Sequence, residues 1–358
     1  MAKVCVLADA ESIHTKKWVE YFVQLGHDVH LISMRDTQYM YPSSVHLYII
    51  KPPLRSKLSY FLLIPKVRNI IKKIQPDILH SYYASSYGML GMLCNFHPYI
   101  VSAWGSDIYE FPKSSFLNRS LLSKILNSAE VVCSTSKDMA SEIKKYYDGE
   151  IVLTPFGVDT NKFKCITPIF SKEYVTIGIN KGLEKIYGIN YLIEAFAQLY
   201  NDWKQDKLRL MIVGDGSERK NLEFLCKDKG IESKVTFVGR VENDEIPRYL
   251  NNMDIVCFPS LSESFGVAAV EAGACCRPVI ASKVGGLKEV IVDEHSGYLV
   301  DKENSEVIKE KIEFILANKN KAVEIGENAR NYINKNYSWQ SNTEIMRKLY
   351  SRYIKSDI

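Results

Sequence analysis

The sequence predicts an α/β protein built from two doubly wound, parallel-sheet halves in tandem. Three observations carry that prediction. The chain has 358 residues, 46% hydrophobic and 25% charged, a globular composition at a length that suits two domains. Short apolar runs alternate with longer amphipathic ones along its length, which is the pattern of βαβ units. Around residues 165–175 the text turns polar and Pro-containing, in NKFKCITPIFSKEY, before the alternation resumes.

Taken in order, KVCVLAD reads as a buried strand, ESIHTKKWVEYFVQLG as a helix closed by Gly26, and HDVHLIS as a second strand. PKVRNIIKKIQ reads as a helix stopped before Pro76, followed by PDILHSYY, PYIVSAWGSD and AEVVCSTS. The second series runs YVTIGIN, GINYLIEAFAQLYNDW, LRLMIVGDG, SERKNLEFLCKDKG, KVTFVGR, NDEIPRYLNNM, DIVCFPS, SFGVAAVEAGACC, PVIAS and GLKEVIVD. From Ser305 onward the text is helical, and Trp339 precedes a last helix ending RKLYSRYI. Two such halves normally bind ligands at the carboxyl ends of their strands, here expected across an interdomain cleft.

Composition narrows the class. No apolar run reaches the roughly 18–20 residues that span a bilayer, and MAKVCVLADAES enters a strand without the features of a signal peptide. Eight cysteines occur without a C-x-x-C pair, so a reduced, cytoplasmic protein is expected. The net charge of +4 is uneven: residues 1–165 hold 19 Lys+Arg against 14 Asp+Glu. No acid lies between Asp36 and Asp77, where Lys51, Arg55, Lys57, Lys66, Arg68, Lys72 and Lys73 are interleaved with apolar residues. Such a segment fits an anionic membrane surface, and equally a helix packed on a sheet with a solvated face.

SESFGVAAVEAG, residues 262–273, carries the chemistry. Ser264 is a good N-cap, so a helix is expected from about Phe265. Glu271 then lies about two turns down the face on which Glu263 stands ahead of the helix. The amides of Phe265, Gly266 and Val267 form an anion seat, and Gly266 allows close backbone approach. An acid, an anion seat and a second acid match a sugar, a pyrophosphate and a ribose in length. The spacing alone fits a solvated helix with incidental acids as well.

The stretch SLSESFGVAAVEAGACCRPVIASKVGGLKEVIVDEHSGYLV resembles the signature of family 4 retaining glycosyltransferases, with their E-x7-E element. ADAESIHTKKWVEYFVQLGHDVHLIS, PDILHSYYASSYG, WGSD, TPFGVDTNKF, YGINYLIEAF and VGDGSERKNLE resemble other segments of that family in the right order. The resemblance implies the GT-B fold, two Rossmann-like domains facing a cleft. Residues 1–165 would bind the acceptor, residues 166–339 the nucleotide-sugar donor, and residues 340–358 would cross back to the first domain.

By the same resemblance Glu271 bonds the ribose, Glu263 faces the transferred sugar, and Ser264 to Val267 hold the diphosphate. Lys181 takes the place of the family's Arg; Tyr187 stands where its Lys is usual, and Lys185 is the candidate replacement. Arg240 and Val241 would read the base, while Gly214 and Gly216 shape a tight turn. Trp104 replaces a His, with Asp107 the nearest ionisable group and a candidate catalytic residue. Asp9, His14 and His80 are expected on the acceptor side.

The resemblance implies a retaining hexosyltransferase that needs no cofactor or metal; no Asp-x-Asp occurs. The expected donor is a UDP-sugar, and the expected acceptor a lipid-linked saccharide of bacterial surface polysaccharide synthesis. No nucleic-acid partner is expected. G-x-G-x-x-G is absent, which disfavours an oxidoreductase. A non-catalytic sugar-nucleotide binder, suggested by Trp104 and Tyr187, and a GT-B epimerase remain as alternatives.

Overall fold

A computed structural model describes residues 1–53, 57–203 and 207–354. They form two compact units: Met1–Pro155 together with the chain from Thr343, and Phe156–Asn342.

The first unit is built on seven parallel strands: β1 (Lys3–Leu7), β2 (Asp28–Ser33), β3 (His46–Ile49), β4 (Ile78–Tyr82), β5 (Tyr99–Ala103), β6 (Val131–Ser134) and β7 (Ile151–Leu153). Their order is β3-β2-β1-β4-β5-β6-β7. It reverses between β1 and β4, which opens a crevice at the carboxyl ends of those strands. Strands β4 and β5 are buried along their whole length, which is why apolar residues dominate them, although β4 also carries His80 and Ser81. The helix Ile13–Gln24 buries Thr15, Trp18, Val19 and Phe22 at helical spacing. The helix Ile64–Ile74 has Pro65 in its first turn, buries Val67, Ile71 and Ile74, and ends before Pro76 as expected. Its Lys66, Lys72 and Lys73 are exposed. Arg55 of the basic window lies outside the described residues, as does the side chain of Lys57, and Lys51 pairs with Asp36.

The second unit holds β8 (Val175–Asn180), β9 (Leu208–Val213), β10 (Val235–Gly239), β11 (Ile255–Phe258), β12 (Val279–Ser282) and β13 (Tyr298–Val300). These are parallel in the order β10-β9-β8-β11-β12-β13, with the reversal between β8 and β11. The helix Trp339–Tyr350 leads the chain back into the first unit. There Tyr350 stacks on Phe22 at 4.7 Å, and the Tyr21 hydroxyl donates to the Thr343 carbonyl (3.3 Å).

Two features differ from the sequence reading. The junction falls after Pro155 rather than near residue 165, because the intervening segment is tied to the second unit. Arg330 donates to the carbonyls of Thr160 (3.3 Å) and Phe163 (3.1 Å), and Asn251 donates to that of Lys164 (3.0 Å). The short strands β3, β7 and β13 were not anticipated. The first two are only partly buried; β3 mixes polar with apolar residues, and β7 is three residues long, too short to stand out. No helix among the described residues is long and apolar enough to cross a membrane.

Candidate active site

In the second unit the apolar strand β8 ends on a polar residue, Asn180, and three strand ends are clasped there. The Lys181 amide donates to the Val213 carbonyl (2.9 Å), and the Gly214 amide to that of Gly239 (2.9 Å). A Cβ on Gly214 would lie 1.9 Å from the Lys181 carbonyl oxygen, and one on Gly216 2.5 Å from that of Leu183. These glycines therefore make the tight turn expected of them. The strand ends bound a cavity of about 770 Å³, lined by Asn180–Gly182, Val213–Gly216, Arg240, Val241 and Ile246.

Lys181 links this cavity to the loop after β11. Its Nζ lies 2.6 Å from Glu263 Oε2 and 4.5 Å from the centre of the Tyr187 ring. The two charged side chains are only 14% and 12% exposed. Burial opposes the charge on Lys181, but Glu263, Tyr187 and Glu271 outweigh it and hold the ammonium above its ordinary pKa. Tyr187 thus gives the remaining cation a π face where the family's pattern has a second one. Lys185 is exposed and lines a different depression with Glu184, Tyr191 and Glu194, so it does not join Lys181.

The helix expected from Phe265 begins instead at Val267 and runs to Ala274. Phe265 is drawn into the core, edge-on to Tyr337 (5.4 Å) and Phe156 (6.1 Å). Gly266 takes the cap position at φ +100°, a conformation that a side chain would strain. Ser264 accordingly lies two residues ahead of the cap and does not fill it. Ala269 and Val270 are the first to donate to the Gly266 carbonyl. The amides from Gly266 to Ala268 therefore precede the helical ladder.

Two contributors escaped the sequence reading. One is the Gly285–Gly286 turn: the Gly286 amide donates to the Glu263 carbonyl (3.0 Å), and a Cβ on Gly285 would lie 1.8 Å from that oxygen. The glycine pair in SKVGGLKEV was its visible signal. The other is Asn180, whose Nδ2 lies 3.5 Å from Glu271 Oε2 while its buried Oδ1 has no partner among the described residues. Glu271 itself is 6% exposed. The signal for Asn180 was a polar residue closing the run VTIGIN.

The first unit has its own cavity of about 360 Å³, lined by Asp9, Arg35, Trp104 and four tyrosines, Tyr60, Tyr82, Tyr83 and Tyr87. Trp104 stacks on Tyr82 (4.9 Å), and His14 meets it edge-on at 5.9 Å. Asp9 accepts from the Glu11 amide (3.0 Å) and from Arg35 (3.2 Å). Asp9, His14 and Trp104 are therefore brought together.

Two other expectations need correction. Asp107 is fully buried and accepts from the amides of Ala84 (2.7 Å), Gly105 (2.7 Å) and Trp104 (3.2 Å). Burial pushes its pKa up against those hydrogen bonds. It braces two loops and offers no exposed oxygen to a sugar. His80 lies within β4, not at its end, and is also fully buried. Its Nδ1 is 2.8 Å from the Tyr350 hydroxyl and its Nε2 2.8 Å from Ser102 Oγ. Burial lowers its pKa to about 3, so it is a neutral internal link rather than an acceptor contact.

Comparison with known proteins agrees with this geometry. The family model for glycosyl transferases group 1 matches residues 159–332, and that for glycosyl transferase 4-like proteins matches residues 3–136. An uncharacterized glycosyltransferase of Methanocaldococcus jannaschii is 28% identical over 82% of this chain and 80% of its own. Sucrose-phosphate synthase from Thermosynechococcus elongatus superposes with a TM-score of 0.87 at 19% identity, covering 98% of this chain and 99% of that one. Anabaena HepE, solved in complex with UDP-glucose, gives 0.81 at 20% identity over 98% and 100%. At those identities the two structures speak for the fold alone. Family models on both units and a GT-B architecture together place the chain among the group 1, family 4-like glycosyltransferases: it is a sugar-transferring enzyme.

Proposed function

We propose that the protein transfers a hexosyl group from a UDP-sugar to a hydroxyl acceptor with retention of anomeric configuration, and that no metal ion takes part. The observation that carries this reading is the charged Lys181, held by Glu263 at the rim of the strand-end cavity. The cavity's volume, about 770 Å³, falls in the range of small-molecule and cofactor sites. Arg240 and Val241 would meet the base and Glu271 the ribose. Lys181 and the amides from Gly266 to Ala268 would stabilise the departing diphosphate, the work a metal performs in other transferases. Glu263 would turn to the hydroxyls of the transferred sugar. Because donor and acceptor react on one face of the sugar, the leaving phosphate itself takes the acceptor proton, and no protein base is required. That HepE holds UDP-glucose supports a uridine donor.

The aromatic cavity of the first unit suits the faces of an acceptor saccharide. Exposed Phe61 and Leu62, with Lys66, Lys72 and Lys73 on the next helix, support an acceptor carried on lipid at an anionic, cytoplasmic membrane surface. Assembly of a bacterial surface polysaccharide is the corresponding process.

The test begins with a panel of sugar nucleotides read by thermal shift. The donor that stabilises the protein is then used, with chelator present, on polyprenyl-linked saccharides, and the product anomer is read by NMR. A retained product formed with chelator is the expected result. Inversion, or activity that needs an added cation, overturns the mechanism. Failure of every UDP-sugar to stabilise the protein overturns the donor assignment. Flotation with anionic vesicles should show salt-sensitive binding, and none at low salt removes the membrane argument.

A further inference from the structure

At the opposite, amino ends of the first sheet's edge strands stand three side chains that sugar transfer does not use. His30 on β2 and His46 on β3 are register partners in the parallel ladder. Asp28 lies two residues before His30, hence on the same face of its strand. Both histidine Nε2 atoms are 3.3 Å from Asp28 Oδ1, and the three ligand atoms lie within 4.8 Å of one another. The two imidazoles are stacked, 4.5 Å apart and 15° from parallel.

We propose that Asp28, His30 and His46 bind one divalent cation of the zinc class, which clips the edge strand β3 to β2. The distances fit. With Zn–N and Zn–O bonds of about 2.0–2.1 Å, the ligand atoms of a tetrahedral site stand roughly 3.3 Å apart.

The state of His30 is a second, independent observation. It is 7% exposed, and its buried Nε2, 3.3 Å from Asp28 Oδ1, has no other hydrogen-bond partner among the described residues. Its Nδ1 lies 3.3 Å from the Tyr48 hydroxyl. An Nδ1–H donated to Tyr48 leaves the Nε2 lone pair pointing at Asp28. This is the arrangement in which an outer hydrogen bond orients a metal-ligating imidazole. In that tautomer the two acceptors face each other and a metal can join them, whereas the other tautomer places the Nε2 proton against Asp28. Lys3, the register partner of Asp28 on β1, is a nearby cation; its ammonium donates to the Ile74 carbonyl (3.2 Å). The His46 side chain is 56% exposed, which leaves room for water as the fourth ligand.

The test uses the full-length, tag-free protein, stripped with chelator and dialysed. It is titrated with Zn²⁺ by calorimetry, and with Co²⁺ by visible absorption. The expected result is one equivalent per chain, a four-coordinate Co²⁺ spectrum and a rise in Tm on zinc binding. His46→Ala, at an exposed position, should keep the fold and weaken binding about tenfold or more, and His46→Cys should restore it. No saturable binding below millimolar Zn²⁺, or unchanged binding in His46→Ala, overturns the proposal. Stabilisation by a sugar nucleotide, measured on the same samples, should not depend on zinc and reports separately on the donor site.

Discussion

Replacing Lys181 by Met, Glu263 by Gln, and both together tests the donor site most directly. At 2.6 Å the gross attraction of the pair is about 6 kcal/mol for an effective dielectric of about 20. Taking both ions out of water costs several kcal/mol each, so the intact pair contributes little net stability. Removing one partner strands the other in a poorly solvated place. Because each side chain keeps about an eighth of its exposure and borders an open cavity, the expected loss is about 1–3 kcal/mol, below that of a fully buried pair. The double variant should then be more stable than the sum of the singles, by about 1–3 kcal/mol in urea unfolding. Transfer behaves differently. Each single variant should lose about 10²–10³ in kcat, the usual cost of removing one preorganised electrostatic partner of a developing charge, and the double variant should recover none of it. The Glu263→Gln variant adds a pH signature. Burial then acts on Lys181 against weaker opposition, its pKa falls, and donor affinity should decline at a lower alkaline pH than in the wild type. Strictly additive stabilities together with wild-type turnover in the singles would refute the reasoning.

Gly285→Ala should weaken donor binding at least about tenfold and lower stability by about 1 kcal/mol or more, since φ is +46° and the new Cβ would meet the Glu263 carbonyl; unchanged donor affinity by calorimetry would count against the brace. His80 predicts an acid-labile first unit. Its folded pKa of about 3 lies below the ordinary histidine value of 6.5, so its contribution is complete above pH 6.5 and is lost as pH falls towards 3. At pH 5 the loss is about 2 kcal/mol, and urea unfolding of His80→Gln should lack that part of the slope. Trp104→Ala should raise the acceptor KM and leave the donor-induced thermal shift unchanged; a changed donor shift would move Trp104 out of the acceptor role. Asp107→Ala should destabilise the first unit by about 2–4 kcal/mol through three stranded amides, read by urea unfolding with donor affinity as the control.

Interior strands such as β4 and β5 were legible because burial on both faces leaves mostly apolar residues to write. Edge strands β3 and β7 were not: β3 mixes His46 and Tyr48 into a run of four, and β7 is only three residues long. The site shows the same division. Glu263, Gly266 and Glu271 fall in one short stretch whose spacing fitted a site and incidental acids alike, and the family resemblance singled them out. The start of that helix was misjudged by two residues, since the pull of the core on Phe265 is tertiary and Ser264 looked locally sufficient. Asp107 and His80 look like reactive groups in a sequence. What makes them structural is three amides in one case and Ser102 with Tyr350 in the other, and these partners lie up to 270 residues away. Asn180 was passed over for the converse reason: the polar end of VTIGIN was visible, but its partner Glu271 lies 91 residues on.

The exchange of a second cation for Tyr187 has a mechanistic consequence. With Glu263 against it, Lys181 belongs to a nearly neutral pair before the donor arrives, and one ammonium cannot balance a diphosphate that gains charge as its sugar departs. The remaining compensation falls to fixed dipoles, the amides from Gly266 to Ala268, whose position depends on the Gly285–Gly286 turn pressing on Glu263. If the phosphates take Lys181 as proposed above, Glu263 is a partner that the donor would displace, and its carboxylate would be freed towards the sugar hydroxyls. This ordering makes phosphate contact the trigger for sugar contact. UDP alone should therefore recover most of the donor's affinity in Glu263→Gln and very little in Lys181→Met, and equal losses of UDP affinity in the two variants would break the order.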